Sequence, residues 1–122
     1  MKDNSEAMRL RIYISNTDKF RHTLLSETLV FAAKRYGLAG ATVIRGSMGF
    51  GSSSVVHSSK FWEITEKLPV VVEMVDEATK IGQFINIIRP WFDKIPTGCL
   101  ITAEKVEVVL FKKGVRKRFL DS

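Results

Sequence analysis

The sequence predicts an α+β domain of the ferredoxin-like βαββαβ order, in which a four-stranded antiparallel sheet carries two helices on one face. Several β-branched or alternating segments predict strands, and two stretches with apolar residues at helical spacing lie between them. The 122 residues, 45% of them hydrophobic, suffice for one core. We therefore expect one domain over residues 8–111, a flexible N-terminus over 1–7 and a basic C-terminal tail over 112–122.

The first half of the chain predicts a strand, a helix and a second strand. From Met8 to Ser15 apolar and polar residues alternate, which is typical of a half-buried strand. Between Thr23 and Tyr36 apolar residues recur at helical spacing, and Gly37 stands where a left-handed residue would end the helix. Residues 40–50 form the second predicted strand, and a polar loop follows it to about Lys60.

The second half predicts two further strands with a helix between them. Residues 61–64 and 69–76 are expected to form one interrupted third strand. Asp76 is expected to cap the second helix through a main-chain amide of its first turn, and Pro90 to end or bend that helix. The last strand is predicted over residues 99–111.

The sheet face away from the helices is predicted to be too apolar for a lone subunit. Monomers seldom expose a continuous apolar patch of several hundred Å². The predicted patch contains residues of the third and fourth strands, namely Val71, Val75, Val109 and Phe111. We therefore expect another subunit to cover this face, with Arg11 and Glu73 in polar contact inside the interface.

The most distinctive stretch is the glycine-rich segment 40–51, which the polar run 52–59 follows. Glycine permits sharp bends and close approach of the backbone to other groups. The spacing alone favours an ordinary hairpin loop, because a dinucleotide-binding motif needs a helix directly after the glycines. We interpret the stretch as a strand that opens into a ligand-responsive loop.

Composition and charge restrict the class of protein. The formal net charge of +6 favours anionic partners. Cys99 is the single cysteine and cannot form an internal disulfide, and residues 1–7 lack the apolar core of a signal peptide. No apolar run approaches the roughly 20 residues that cross a bilayer. We therefore expect a cytoplasmic protein.

Catalytic and metal-binding patterns are weak. His57 and Ser58 are base and nucleophile types, but neighbours in sequence need not be arranged for attack. The scattered residues His22, His57 and Cys99 have no zinc-site spacing. We therefore expect no enzymatic activity, no metal ligands within the chain and no required cofactor.

Short blocks of the sequence carry a resemblance to a known family: Arg9 to Ile14, Gly40 to Val43, Arg45-Gly46, Gly49 to Gly51, His57-Ser58, Leu68-Pro69 and Glu73 to Asp76. Together they resemble the PII-like superfamily of trimeric signalling proteins, and more closely its uncharacterised branch, domain of unknown function 190. The resemblance covers roughly residues 8–110. It implies a PII-like homotrimer that binds a small anionic effector, an adenine nucleotide, at clefts between subunits.

The resemblance also implies where the ligand binds. In PII proteins the base of the loop after the second strand, the turn before the last strand and the basic end of that strand surround the phosphates. Carried over to this chain, these are Gly49, Phe50, Gly51, Gly98 and Lys112. We add four further candidates from the loop and its base, namely Arg45, Gly46, His57 and Ser58.

Individual candidates keep an alternative role. Arg45 either supplies a cation to the ligand or is a strand-edge residue whose head lies in solvent. Phe50 is a better candidate for an anchor of the loop base than for a ring that stacks on adenine. His57 either contacts the ligand, with a reference pKa of about 6.5, or forms a hydrogen bond that orders the loop.

The sequence departs from the PII pattern where cations are expected. Ser52 and Ser53 replace an arginine and a glutamine, Cys99 replaces a lysine, and Leu110 replaces an arginine. The reduced number of cations favours a ligand with less phosphate charge than a triphosphate. We therefore expect a nucleoside monophosphate such as AMP.

Our leading hypothesis is a non-enzymatic PII-like regulatory protein with a responsive loop at about residues 51–60 and an unknown protein or membrane-protein target. One alternative is nucleic-acid binding by the basic segment 112–118, which has five cations in seven residues. A solvated tail is favoured over it, because no aromatic residues are interleaved with the cations. The other alternative is a metal-binding trimer like the copper-tolerance relatives of this fold.

Overall fold

The computed structural model describes residues 1–51, 57–58 and 67–115. Over these residues the helices are α1 (Leu25–Arg35) and α2 (Ala78–Phe92). The strands are β1 (Ser5–Ser15), β2 (Lys19–Phe20), β3 (Thr23–Leu24), β4 (Thr42–Arg45), β5 (Met48–Gly49), β6 (His57–Ser58), β7 (Pro69–Asp76) and β8 (Leu100–Val108).

Four of these strands form the main sheet in the order β4-β7-β1-β8, and all its neighbours are antiparallel. At the centre, Arg11 of β1 lies opposite Glu73 of β7 and Thr102 of β8. The strands β2 and β3 form one small hairpin, and β5 pairs with β6 in another. The order of the main strands and helices confirms the predicted ferredoxin-like βαββαβ fold.

The core lies between the two helices and one face of this sheet. Because successive strand residues point to opposite faces, every second residue of β1 and β7 faces the helices. The large, fully buried residues of this layer are Leu10, Ile12, Val72 and Met74 from the sheet, Leu25 and Leu29 from α1, and Ile81, Phe84 and Ile88 from α2. Phe20 stacks on Trp91 at its margin, with ring centroids 5.1 Å apart.

The ends of both helices follow from particular residues. Gly37 has φ +77°, so the left-handed conformation predicted at the end of α1 is confirmed. Helix α2 continues through Pro90, because a proline in the last turn removes only one main-chain donor. The helix ends two residues later, at Phe92.

The predicted role of Asp76 as a helix cap is wrong. The residue that precedes α2 is Glu77, which makes no side-chain cap bond. Asp76 is 3% exposed, and its carboxylate accepts hydrogen bonds from the amides of Glu77 at 2.7 Å and Ala39 at 2.8 Å. The carboxylate therefore joins the α1–β4 connection to the beginning of α2.

Several strand boundaries differ from the prediction. Strand β1 begins at Ser5, and residues 5–7, assigned to a flexible terminus, pair with 106–108 of β8. The predicted second strand is divided after Arg45, because the next pair of the ladder is Gly46 with Pro69: the Gly46 amide donates a hydrogen bond to the Pro69 carbonyl at 2.8 Å, but a proline has no N–H to donate in return. The predicted strand segment 61–64 lies outside the described residues.

The residues predicted on the far face of β8 are also wrong. Paired residues share a face, and Val106 and Val108 lie opposite Ala7 and Ser5 on the side away from the helices. Val109 and Phe111 follow the end of β8 and are not part of the sheet. Hence Val106 and Val108, together with Val71 and Val75 of β7, are the valines of this face.

In the described part of the chain, neither helix has the length and apolarity to span a bilayer.

Candidate functional site

A cleft of about 760 Å³ lies at the end of the sheet where β1 ends and β7 and β8 begin. Residues Tyr13 to Ser15 come from β1, 67–70 from the start of β7, and 96–100 from the connection into β8. The segment Gly49–Gly51 contributes a further side. Parts of the chain far apart in sequence therefore meet at one opening.

A buried carboxylate holds the turn that precedes β8. Asp18 is 5% exposed, and one of its carboxylate oxygens accepts a hydrogen bond from the Ser15 amide at 2.9 Å. The other oxygen accepts a hydrogen bond from the Thr97 hydroxyl, also at 2.9 Å. Because a buried carboxylate needs such donors, the turn after β1 fixes the turn before β8.

A second pair of hydrogen bonds fixes the entry into β7. The main-chain amide of Asn16 donates to the Leu68 carbonyl, and the main-chain amide of Leu68 donates to the side-chain oxygen of Asn16, each at 2.9 Å. This pair extends the β1–β7 ladder by one step beyond Ser15 and Pro69. Lys67 is therefore held at the margin of the cleft.

Close packing on Pro69 brings the glycine-rich segment to the cleft. A Cβ atom added at Gly46 would lie 2.7 Å from the Pro69 Cγ, and one at Gly49 would lie 3.1 Å from it. At Gly46 the backbone reaches this position only because the residue lacks a side chain, and at Gly49 a side chain would be tight against the proline ring. Gly49, Phe50 and Gly51 consequently line the opening beside Pro69.

The predicted ligand-binding residues fall into two groups. Gly49, Phe50, Gly51 and Gly98 meet at the cleft. Gly46 packs against Pro69 and is outside the described lining, and Arg45 is exposed at the end of β4. His57 and Ser58 form β6 opposite Gly49 and Met48, and their side chains are not described. Thus only part of the predicted set converges within one chain.

Lys112 lies beyond the opposite end of β8 from the cleft. The neighbouring Phe111 amide donates a hydrogen bond to the Asp3 carboxylate at 2.6 Å, near the beginning of β1. This chain alone therefore does not bring Lys112 to Gly98. Residues 52–56 and 59–66 of the predicted loop, and 116–122 of the basic tail, lie outside the described residues.

Sequence reasoning missed three residues at the cleft. The alternation in β1 correctly predicts Tyr13 on the outer face of the sheet, but it does not indicate that Tyr13 lines a cleft. Asp18 contacts Thr97, 79 positions away, and local sequence patterns do not reveal such a contact. Lys67 immediately precedes the Leu68-Pro69 block, and a cation next to that block was the one available signal.

The described lining has one basic and one acidic side chain, Lys67 and Asp18. Burial raises the pKa of the Cys99 thiol, and the negative charge of Asp18 raises it further. At neutral pH Cys99 is therefore the neutral thiol, a poor nucleophile.

The far face of the sheet carries a network of alternating charges. The Arg11 guanidinium donates to the Glu73 carboxylate at 2.8 Å and lies 3.5 Å from that of Glu104. Arg9 also donates to Glu104, and this hydrogen bond lowers the pKa of the Glu104 carboxyl. The predicted Arg11–Glu73 contact is confirmed within one chain.

Among the described residues, no three potential metal-ligating side chains form a cluster.

Comparisons with known proteins agree with the resemblance found in the sequence. The profile of the DUF190 family, described as Uncharacterized ACR, matches residues 7–108. A UPF0166 protein of Aquifex aeolicus (strain VF5) is 37% identical over 100 residues, which are 82% of this chain and 90% of the relative.

Two solved structures show that the fold is PII-like. CPII, a nitrogen regulatory PII-like protein from Thiomonas intermedia K12 bound to ADP, AMP and bicarbonate, superposes with a TM-score of 0.66 at 14% identity. That match covers 87% of this chain and 91% of CPII. A protein from Thermus thermophilus, described as a candidate PII-like signalling protein, gives a TM-score of 0.63 at 17% identity, covering 88% of this chain and 94% of the other.

Proposed function

Since the chain belongs to the DUF190 family and has a PII-like fold, we propose that it is a non-enzymatic signalling protein that binds an adenine nucleotide at the cleft. The observation that carries this proposal is the meeting of Gly49–Gly51 with Gly98 in one opening. Those are the segments that the PII resemblance assigns to the nucleotide, and CPII has been solved with ADP and AMP bound.

The composition of the lining supports a ligand of low charge. Tyr13, Phe50 and Leu100 offer aromatic and aliphatic surface to a base and a ribose, whereas Lys67 is the single basic side chain of the described lining. Ligand sites of this volume are usually mostly apolar with few polar groups. We therefore propose AMP, or a similar nucleoside monophosphate, as the effector rather than ATP.

We further propose that the functional unit is a homotrimer. The far face combines the four valines with the Arg9–Glu104–Arg11–Glu73 network, and all four charged side chains are partly exposed in the single chain. A second copy would bury the apolar residues and strengthen the ion pairs by excluding water. The responsive loop at about residues 51–60 and its protein or membrane-protein target complete the proposed signalling role.

Calorimetric titration tests the nucleotide part. AMP, ADP, ATP and cyclic AMP are titrated separately into the full chain, and we expect AMP to bind most tightly. If none of the four produces heat at millimolar concentration, the nucleotide proposal is wrong.

The matched variants Gly46→Ala and Gly40→Ala test whether the glycine-rich segment forms the site. The new methyl group at position 46 would meet Pro69 and displace the backbone that leads to Gly49–Gly51, whereas nothing lies within 4 Å at position 40. We expect Gly46→Ala to weaken AMP binding about tenfold and Gly40→Ala to change it less than about twofold. Equal affinities of the two variants would place the ligand elsewhere.

A further inference from the structure

The two sides of the cleft differ in charge, and they are separated by a strand. Strands β7 and β8 lie on either side of β1, so their backbones are about 10 Å apart. We call the side formed by Lys67–Pro69 and Gly49–Gly51 the β7 side, and that formed by Thr97–Leu100 the β8 side. The Asp18 carboxylate lies between the turns and is bonded to Thr97 of the β8 side.

The β8 side is unfavourable for a negative charge. The carboxylate of Asp18 is buried, and its hydrogen-bond donors among the described residues, the Ser15 amide and the Thr97 hydroxyl, are both neutral. Its negative charge is therefore not cancelled by an ion pair at these contacts. The same charge disfavours the thiolate of Cys99, whose pKa is raised by burial and by Asp18. A phosphate group at this side would meet the same repulsion.

The β7 side offers the opposite environment. Lys67 is half-buried at the margin of the cleft, where the Asn16–Leu68 hydrogen bonds fix its backbone. Packing of Gly46 and Gly49 on Pro69 holds the backbone of Gly49–Gly51 beside it. A lysine next to main-chain amides of a glycine-rich turn is a suitable partner for a single anionic group.

We propose that the cleft orients its ligand by charge, with the anionic group against Lys67 on the β7 side and the uncharged ring system between Tyr13 and the β8 side. This inference deepens the proposed function and rests on it. It departs from the expectation carried over from the PII resemblance, in which the turn containing Gly98 surrounds the phosphates. In this chain that turn contacts the uncharged part of the ligand.

Binding of AMP and of adenosine to Lys67→Met tests the β7 side. The variant should bind AMP about tenfold more weakly and adenosine unchanged, because it loses only a charge-assisted hydrogen bond. Lys94→Met is the matched control, since Lys94 is exposed and outside the lining. An equal loss for both ligands, or an equal loss of AMP affinity in the control, would overturn the assignment of Lys67.

Alkylation of Cys99, the only cysteine, tests the β8 side without any nucleotide. The ratio of the rates with neutral iodoacetamide and anionic iodoacetate is compared with that of N-acetylcysteine amide. We expect the ratio of the protein to be at least about threefold higher, and Asp18→Asn to reduce the excess while Thr97→Val, which retains the charge, preserves it. A ratio no higher than that of the free thiol would overturn the proposed polarity.

The two measurements separate failure of the inference from failure of the proposed function. If the wild-type chain binds neither AMP nor adenosine, the nucleotide function is wrong, and with it the ligand orientation. The alkylation ratio then still shows whether the β8 side repels anions. If nucleotides bind and Lys67→Met retains full AMP affinity, the proposed function stands and the orientation is wrong.

Discussion

The two faces of the main sheet consist of the same strands but differ in what stabilises them. On the helix face Leu10, Ile12 and Val72 are completely buried within one chain. On the far face, mostly half-buried valines surround the charge network of Arg9, Arg11, Glu73 and Glu104. The comparison indicates that folding of a single chain completes the first face, whereas the second face stays partly exposed in one chain, and we propose that contact with another copy covers it.

The largest effect is expected from Leu10→Ala on the helix face. Leu10 has no exposed surface, so the substitution leaves a cavity and should lower the free energy of unfolding by about 3 kcal/mol. Leu100→Ala is the matched control, because the same atoms are removed from a side chain that is 57% exposed on the opposite face. Its cost should be below about 1 kcal/mol. Equal losses in denaturant unfolding would contradict the contrast between the faces.

A charge placed on the far face should disrupt assembly more than folding. Val71 lies opposite both Tyr13 and Ile44, and Val71→Glu would put a carboxylate in the middle of the proposed subunit contact. We expect sedimentation to show a smaller assembly for this variant. Phe31→Glu, at an exposed apolar residue of α1, should leave the assembly unchanged. A wild-type chain that sediments as a folded single protomer at micromolar concentration would remove the trimer from the proposal.

A smaller effect is expected from the ion pair at the centre of the far face. In a double-mutant cycle, Arg11→Ala and Glu73→Ala should cost less together than the sum of the single changes, because the two side chains share a hydrogen bond at 2.8 Å. The Lys105–Glu6 pair, at 3.8 Å and largely exposed, should show almost no coupling. Additive effects at Arg11 and Glu73 would show that this ion pair contributes no coupling energy to stability.

The smallest effect is expected when the pH is lowered and thermal stability is measured. The hydrogen bond from Arg9 lowers the pKa of Glu104 in the folded chain, so this carboxylate stabilises the fold at pH values above its ordinary pKa of about 4.3. The contribution should be lost as the pH falls from there through the lower folded-state pKa. Glu104→Gln should therefore flatten part of the decrease in thermal stability between about pH 5 and pH 3. An unchanged slope would contradict the assignment.

Elements with a regular pattern were predictable from the sequence. The alternation in Pro69–Asp76 matches β7 residue for residue, and Gly37 has the predicted positive φ. The faces of β8 were not predictable, because the far-face alternation of Val106 and Val108 depends on pairing with β1, and the strand ends before Val109. Local pattern alone does not fix register.

The candidate site was predictable only where glycine marked it. Glycines are visible in the sequence at Gly49, Gly51 and Gly98, all of which line the cleft, and at Gly49 an added Cβ would lie 3.1 Å from the Pro69 Cγ. Asp18 and Asn16 have no such signal, since their partners Thr97 and Leu68 come close only after the sheet has formed. The position of Arg45 also depends on tertiary structure, because β4 ends before the cleft begins.

The Asp76 carboxylate has a consequence for how the molecule opens. It binds the amides of Ala39 and Glu77, and the Lys80 ammonium donates to the Gly37 carbonyl at 3.2 Å. The C-terminal end of α1 and the N-terminal end of α2 are thus anchored to each other. Native-state hydrogen exchange should therefore find these two ends in a single cooperative unit, with the Ala39 amide as slow to exchange as those of the first turn of α2.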